Sequence, residues 1–339
     1  AGTLGFDTSH WLNTSSGQVN VAQGAQLLLA YTTLTAGALN NAGLVTVIGG
    51  DNRVQAAASI SGNWQIDRGQ LIIESTQRIG TLTINGGTIT GQGTLTVDAL
   101  SFQSGTLANG SFLTGSRLNV QGSTSFDGSS NQQIGNSAQL HLLGNSVWTA
   151  GNGRLSVDSA YSAGSNSYPA ALLRITAGTT FTDQGAASSA GFKVLGGGTV
   201  RNEGTLLRTG LGSTEVRGLD NVGLVDVAEG ALEVNANFSN TGTLTVRAGA
   251  VLHGLSGPLQ NAGVLSGDGT VRTASLSTAL ANAGTLTPGG LGSTGSLLLD
   301  GDLAMASSGV LRIDLAGGAH DLLTITSDAS FAGDGEQVV

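Results

Sequence analysis

Cysteine is absent from this 339-residue chain, proline occurs only 3 times, and aromatic residues make up 4% of it. Without cysteine there is no disulfide framework, thiol nucleophile or thiolate metal site. The same absence suits a reduced cytosol and a bacterial secreted chain equally well. Charge is scarce too, at 10% of residues with a net charge of −9. Disorder needs high charge and low hydrophobicity, whereas 39% of this chain is apolar. The cations, Lys193 and scattered single arginines, form no cluster. Nucleic acid is therefore not an expected partner, since its phosphates are neutralised several at a time. A polybasic membrane anchor is equally lacking. Apolar runs such as LLLA at 27–30 are far below the roughly 20 residues that span a bilayer, so no direct membrane insertion by this segment is expected. The start, AGTLGF, carries no Met or targeting stretch, and with the ending GDGEQVV it reads as a piece of something longer.

What the chain has instead is glycine, 55 residues of it, with abundant Thr, Val, Leu, Asn and Ser. Proline is too rare, and glycine lacks the period of three, for a collagen. One phrase returns: VRNEGTL (200–206), LDNVGLV (219–225), FSNTGTL (238–244), LQNAGVL (259–265) and LANAGTL (280–286), with an outlying LNNAGLV at 39–45. Each reads apolar-x-Asn-x-Gly-x-apolar. The repeat residues are Asn41, Asn202, Asn221, Asn240, Asn261 and Asn282, each followed two positions on by Gly43, Gly204, Gly223, Gly242, Gly263 and Gly284. From Asn202 onward the spacings are 19, 19, 21 and 21 residues. A period near twenty that tolerates small insertions marks a solenoid.

A second unit, Gly-x-Leu-x-(Val/Ile), occurs at 69–73, 80–84, 93–97, 153–157, 230–234, 242–246 and 309–313. Two apolar residues separated by one describe a strand with one buried face. No stretch carries a 3.6-residue period with caps, so helices should be few. Short one-faced strands gain stability by pairing with their equivalents one coil later, at roughly 4.8 Å. The expected fold is all-β: a right-handed parallel β-helix, one solenoid over 1–339 with coils of 19–21 residues. On the order of 15–17 coils would build a rod of about 70–80 Å at that spacing. Asn suits the corners because it tolerates left-handed backbone and bonds its neighbours. Stacked asparagines could also exchange amide hydrogen bonds as a ladder. Glycine is expected to let the corner bend.

The phrases NAGLVTV, NTGTLTVRAGAVL and NAGVLSGDGTV resemble repeats of filamentous-haemagglutinin-like exoproteins and autotransporter passengers of Gram-negative bacteria. Residues 282–326 resemble a segment found late in such passengers, and 287–339 reads as that passenger-like segment, an end coil or cap. The resemblance implies a secreted or cell-surface β-helical protein, extracellular or on the bacterial outer surface. It carries a repeat style, not a functional motif.

Residues 158–170, DSAYSAGSNSYPA, break the rhythm and read as a projecting loop, with Tyr161 and Tyr168 as candidate recognition residues. Trp148, Phe181 and Phe192 read as core filling. The GLGSTG at 290–295 matches a dinucleotide fingerprint, but SLLLDGDL after it is a strand and a turn, not the required helix. His10, His141, His253 and His320 lack partners at metal-ligand spacing. Asp300, Asp302, Asp334 and Glu336 read as turn residues that bond their own backbone. The Asn-x-Ser/Thr sites at Asn13 and Asn109 read as coincidence in so Asn- and Ser-rich a chain.

A polysaccharide-active β-helix would need carboxylates at equivalent outward positions on neighbouring coils. Counting coils by the asparagines, Asp226 falls level with Thr245, Ser266 and Thr287, and Glu233 with Leu252, so the acids do not stack; His253 falls level with Val234. Paired threonines at 81/83, 88/90, 94/96, 243/245 and 285/287 suggest an ice-binding array, but Leu224/Asp226 and Val264/Ser266 interrupt it, and strand preference accounts for them. The resulting expectation is no enzyme, cofactor or metal. It is a structural or adhesin-type scaffold or stalk, binding a host-cell, glycan or other surface ligand through loops or missing regions. The alternative is a self-associating matrix fibre, with exposed strand edges stacking end to end.

Overall fold

The alternation read from the sequence becomes strand after strand with one buried face, in parallel stacks. The structure is a computed structural model that describes residues 2–6, 12–13, 17–108, 116–127, 130–135, 137–149, 153–158, 161–163, 166–168, 170–185, 198–235, 238–275 and 278–332. Among the described residues every regular element is a strand, and none is helical. The chain is a parallel β-solenoid of about 12 turns, with coils averaging about 21 residues. That is fewer turns than 15–17, an expectation that divided the whole chain by the coil length, whereas about 12 turns of about 21 residues take up about 250 of the 339 residues. Trp64 lies beside Leu82, whereas the step from Arg272 to its neighbour Asp300 is half as long again. The chain divides into two compact units. One comprises Ala1–Thr149, Gly153–Arg174 and Gly196–Gly198; the other comprises Ala150–Asn152, Ile175–Leu195 and Thr199–Val339.

In the first unit the longest strands, Leu44–Ile60, Asn63–Ile73, Gln77–Gly91 and Thr94–Leu107, follow one another through successive coils. Their inward residues stack in columns. Val45, Trp64, Leu82 and Leu100 form one column, register partner on register partner, and all are buried. Ile66, Ile84, Phe102, Phe126 and Trp148 form another. Its rings follow the coil spacing, with Phe102–Phe126 and Phe126–Trp148 centroids each 6.1 Å apart. Each fully buried large apolar side chain contributes roughly 1.5–3 kcal/mol, so such columns hold neighbouring coils together. The segment that interrupts the rhythm forms an antiparallel ribbon outside the stack, Tyr161–Ala163 against Asn166–Tyr168, with Tyr161 opposite Tyr168.

The second unit has three strands per coil. One stack carries the asparagines: Thr199–Asn202, Leu219–Asn221, Ser239–Asn240, Leu259–Asn261, Ala279–Asn282 and Asp302–Met305. The next follows the repeat glycines: Thr205–Arg208, Leu224–Val227, Thr243–Val246, Val264–Gly267 and Thr285–Pro288. The third is a six-stranded parallel sheet: Ser213–Val216, Ala231–Val234, Val251–Gly254, Thr270–Arg272, Ser296–Asp300 and Leu322–Ile325. Residues two before and four after each repeat asparagine are buried, as in Leu219 and Val225 or Phe238 and Leu244. Glycine is needed for closeness and not for a bend. A Cβ on Gly242 would run into the carbonyl oxygen of Gly223 one coil below, and none of the six repeat glycines has positive φ.

Candidate functional site

Where the apolar-x-Asn-x-Gly corners stack, five amides join into one ladder. The Nδ2 of Asn202 donates to Oδ1 of Asn221 at 2.8 Å, Asn221 to Asn240 at 2.6 Å, Asn240 to Asn261 at 2.6 Å and Asn261 to Asn282 at 2.5 Å. Each of the first four also donates to a backbone carbonyl of the next coil, that of Leu224, Thr243, Val264 or Thr285. All five side chains are buried, so each amide uses capacity that water no longer serves. Above Asn282 the slot holds Met305, whose sulfur accepts at 3.3 Å. Asn41 is buried outside this ladder; its amide donates to the Asn63 carbonyl and accepts from the Gly43 amide at 2.9 Å.

The third sheet carries a column of outward polar and charged residues. Its register places Glu215 beside Glu233, Glu233 beside His253, His253 beside Arg272, and Arg272 beside Asp300. This corrects the coil count made from the asparagines. Glu233 is level with His253, not Leu252, and His253 takes the Glu233 slot, not that of Val234. Two acids do stack. Of the two residues by which this coil exceeds its predecessor, one enters before Val251, near the Gly249 turn, and the other after it. The offset between register partners grows by one from Val227/Val246 to Ala231/Val251, and by one again at Thr243/Val264. A one-residue error turns every side chain of a strand to its other face.

Most members of this column have partners. Arg217 Nε donates to Glu215 at 2.6 Å, and Arg272 Nε donates to Asp300 at 2.9 Å. Asp300 is held below the usual carboxylate range, first by Arg272 and further by the Thr326 hydroxyl at 3.2 Å. Between these pairs Glu233 Oε1 and His253 Nδ1 stand 3.9 Å apart, with side chains 27% and 29% exposed. Adjacent strand backbones lie roughly 4.8 Å apart, so Glu215 and Glu233 are outward neighbours, and the Glu215 carboxylate is engaged by Arg217. The column offers hydrogen-bonding groups at one-coil intervals.

Other sequence candidates fall as follows. Asp226 lies in register with Thr245, Ser266 and Thr287, and Arg247 clamps it, Nε to Oδ1 at 2.9 Å. Gly292 N and Gly295 N of the glycine-rich loop donate to Asp314 at 2.7 Å and Asp321 at 2.8 Å, and a strand follows, Ser296–Asp300. Asp302 is held below its ordinary range by the Ser327 hydroxyl first, then by the Asp328 amide. No group of three metal-binding side chains occurs among the described residues. Trp148 and Phe181 are fully buried; His10, Phe192, Asn109, Asp334 and Glu336 lie outside the described residues.

One polar group was missed in the sequence. Asp183 and Arg208 are register partners that both point inward, with side chains 1% and 2% exposed and Oδ2 to Nη1 3.1 Å apart. Thr214, inward on the first strand of the third sheet, donates to the same carboxylate. The Gly185 amide donates to Asp183 Oδ1 at 2.9 Å, and Arg208 Nη2 donates to the Gly212 carbonyl at 2.6 Å. Burial pushes the Asp183 carboxyl above its ordinary value, against the opposing pull of Arg208, Thr214 and Gly185. The signal was present: alternation puts Asp183 on the face of Phe181, and Arg208 on the face of Leu206.

No family model, curated protein or solved structure matches the chain.

Proposed function

We propose that this chain is a structural segment of adhesin type, exposed outside a bacterial cell, in which the solenoid is a stiff scaffold or stalk and not an enzyme. The observation that supports it is the buried amide ladder running unbroken through five coils. It commits the repeat asparagines to continuity of the stack and leaves outward side chains free to vary. Recognition of a cell-surface or glycan ligand then falls to segments off the stack, foremost the ribbon Tyr161–Ala163 and Asn166–Tyr168. Beads coated with the protein should adhere to cell layers, and replacing 161–168 by a Gly-Ser turn should abolish adhesion with the β circular-dichroism spectrum unchanged. Adhesion that survives the replacement would move recognition elsewhere. A polysaccharide-degradation screen checks the enzyme alternative: turnover that disappears in Glu215→Gln or Glu233→Gln would replace the scaffold reading.

A second reading is a self-associating fibre: parallel strand stacks leave unpaired edges at any free end, which a second copy would cover. Negative-stain electron microscopy separates the two, with dispersed particles for a stalk and long filaments for a fibre.

A further inference from the structure

Repetition creates a difficulty that apolar packing leaves unsolved. A strand that slips by two residues keeps its inward face inward, and near-identical repeats penalise the slip weakly. Asp183, Arg208 and Thr214 are different. In the observed register Phe181 lies on Leu206 and Asp183 on Arg208. A slip by two in either direction sets one charge against an apolar or backbone neighbour and leaves a buried ion unpaired. The fold does not need charge at these places. The Arg208 slot holds Val227 and then Val246 in the next coils, and the Thr214 slot holds Leu232 and then Leu252. Buried ion pairs replaced by well-packed apolar residues commonly lose no stability, and fixing register is their best-attested use.

We propose that Asp183, Arg208 and Thr214 form a register key of the second unit. The ion pair fixes how Thr180–Asp183 lies along Thr205–Arg208, and the Thr214 hydroxyl fixes the first strand of the third sheet to the same carboxylate.

The absence of cysteine makes a direct test available in the full chain. Thr182 and Leu207 are outward register partners, and directly opposed strand positions lie within disulfide reach. Thr182 with Thr205, or with Thr209, reaches only after a slip by two. Paired cysteines at each combination, oxidised and mapped by mass spectrometry, should bridge only 182 and 207 in the otherwise native chain. In Asp183→Val/Arg208→Val/Thr214→Leu the slipped bridges should appear within tenfold of the native one, with an undiminished thermal midpoint. Asp183→Val alone, which strands Arg208, should lower the midpoint. Bridging confined to 182 and 207 in the triple variant overturns the proposal. So does a triple variant that fails to fold or melts earlier, because the cluster would then serve stability and not register.

Discussion

Asn240 holds two neighbours at once: it accepts from Asn221 and donates to both Asn261 and the Val264 carbonyl. Truncation to alanine leaves Asn261 Oδ1 buried without its donor, and a lost bond plus an orphaned acceptor costs about 2–4 kcal/mol. Gln260→Ala, at an exposed outward position beside Asn261, should stay within about 0.5 kcal/mol. Urea unfolding of the two variants checks the contrast. Asp183 gives a pH prediction. Its folded pKa lies above the unfolded value because burial outweighs Arg208. Folding therefore favours the protonated form. The resulting stabilisation is fully present below the ordinary aspartate range near 4 and disappears as pH rises through the raised pKa. Asp183→Asn should flatten the stability curve over that interval, as followed by thermal midpoints from acid to neutral pH.

A strand of the third sheet shows what the sequence does and does not disclose. The asparagine phrase announces its own stacking, because a side chain with one role at one spacing leaves a visible period. The third sheet carries no such marker. Its strands read ALEV, VLHG and TVR, and only the division of a two-residue insertion around Val251 decides whether Glu233 meets Leu252 or His253. Turns absorb insertions at low cost, so composition does not say on which side they fall. The inward ion pair was hidden for another reason: a charge on a short strand reads as outward until its partner, a whole coil further along, is known to share the face. Arg272 and Asp300 are neighbours in this sheet, and their pairing is open to test. Asp300 has a depressed pKa, so its contribution exists above the ordinary carboxylate range and is lost as pH falls through the folded value. Arg272→Ala should return the Asp300 carboxyl toward about 4, seen by carbon NMR titration. On so exposed a pair it should cost at most about 1 kcal/mol near neutrality, and less as pH falls through the folded pKa.

Solenoid coils touch only their neighbours, so stability adds up locally and is not pooled. Damage to the ladder should therefore remain in its surroundings. In Asn240→Ala, hydrogen exchange should accelerate at Leu244 and Leu265 while Val45 and Ile66 of the first unit keep their protection. Uniform acceleration along the chain would mean that the protein unfolds as one block. Heating should show the same thing, as a broadened transition in the variant and not a parallel shift.

The ladder also has a sense of direction. Every rung donates toward higher residue numbers, so one extremity shows an oxygen and the other a nitrogen. The Asn202 Oδ1 is buried without a hydrogen-bond partner among the described residues, whereas the Asn282 Nδ2 rests on a methionine sulfur and the Gly284 carbonyl. The aligned amide dipoles add head to tail, so the row behaves like a small arrow embedded in the wall. Lengthening it requires a donor at the tail and an acceptor at the tip. Met305→Asn would satisfy the tip with its own oxygen, whereas reversing any single rung would set two like ends face to face.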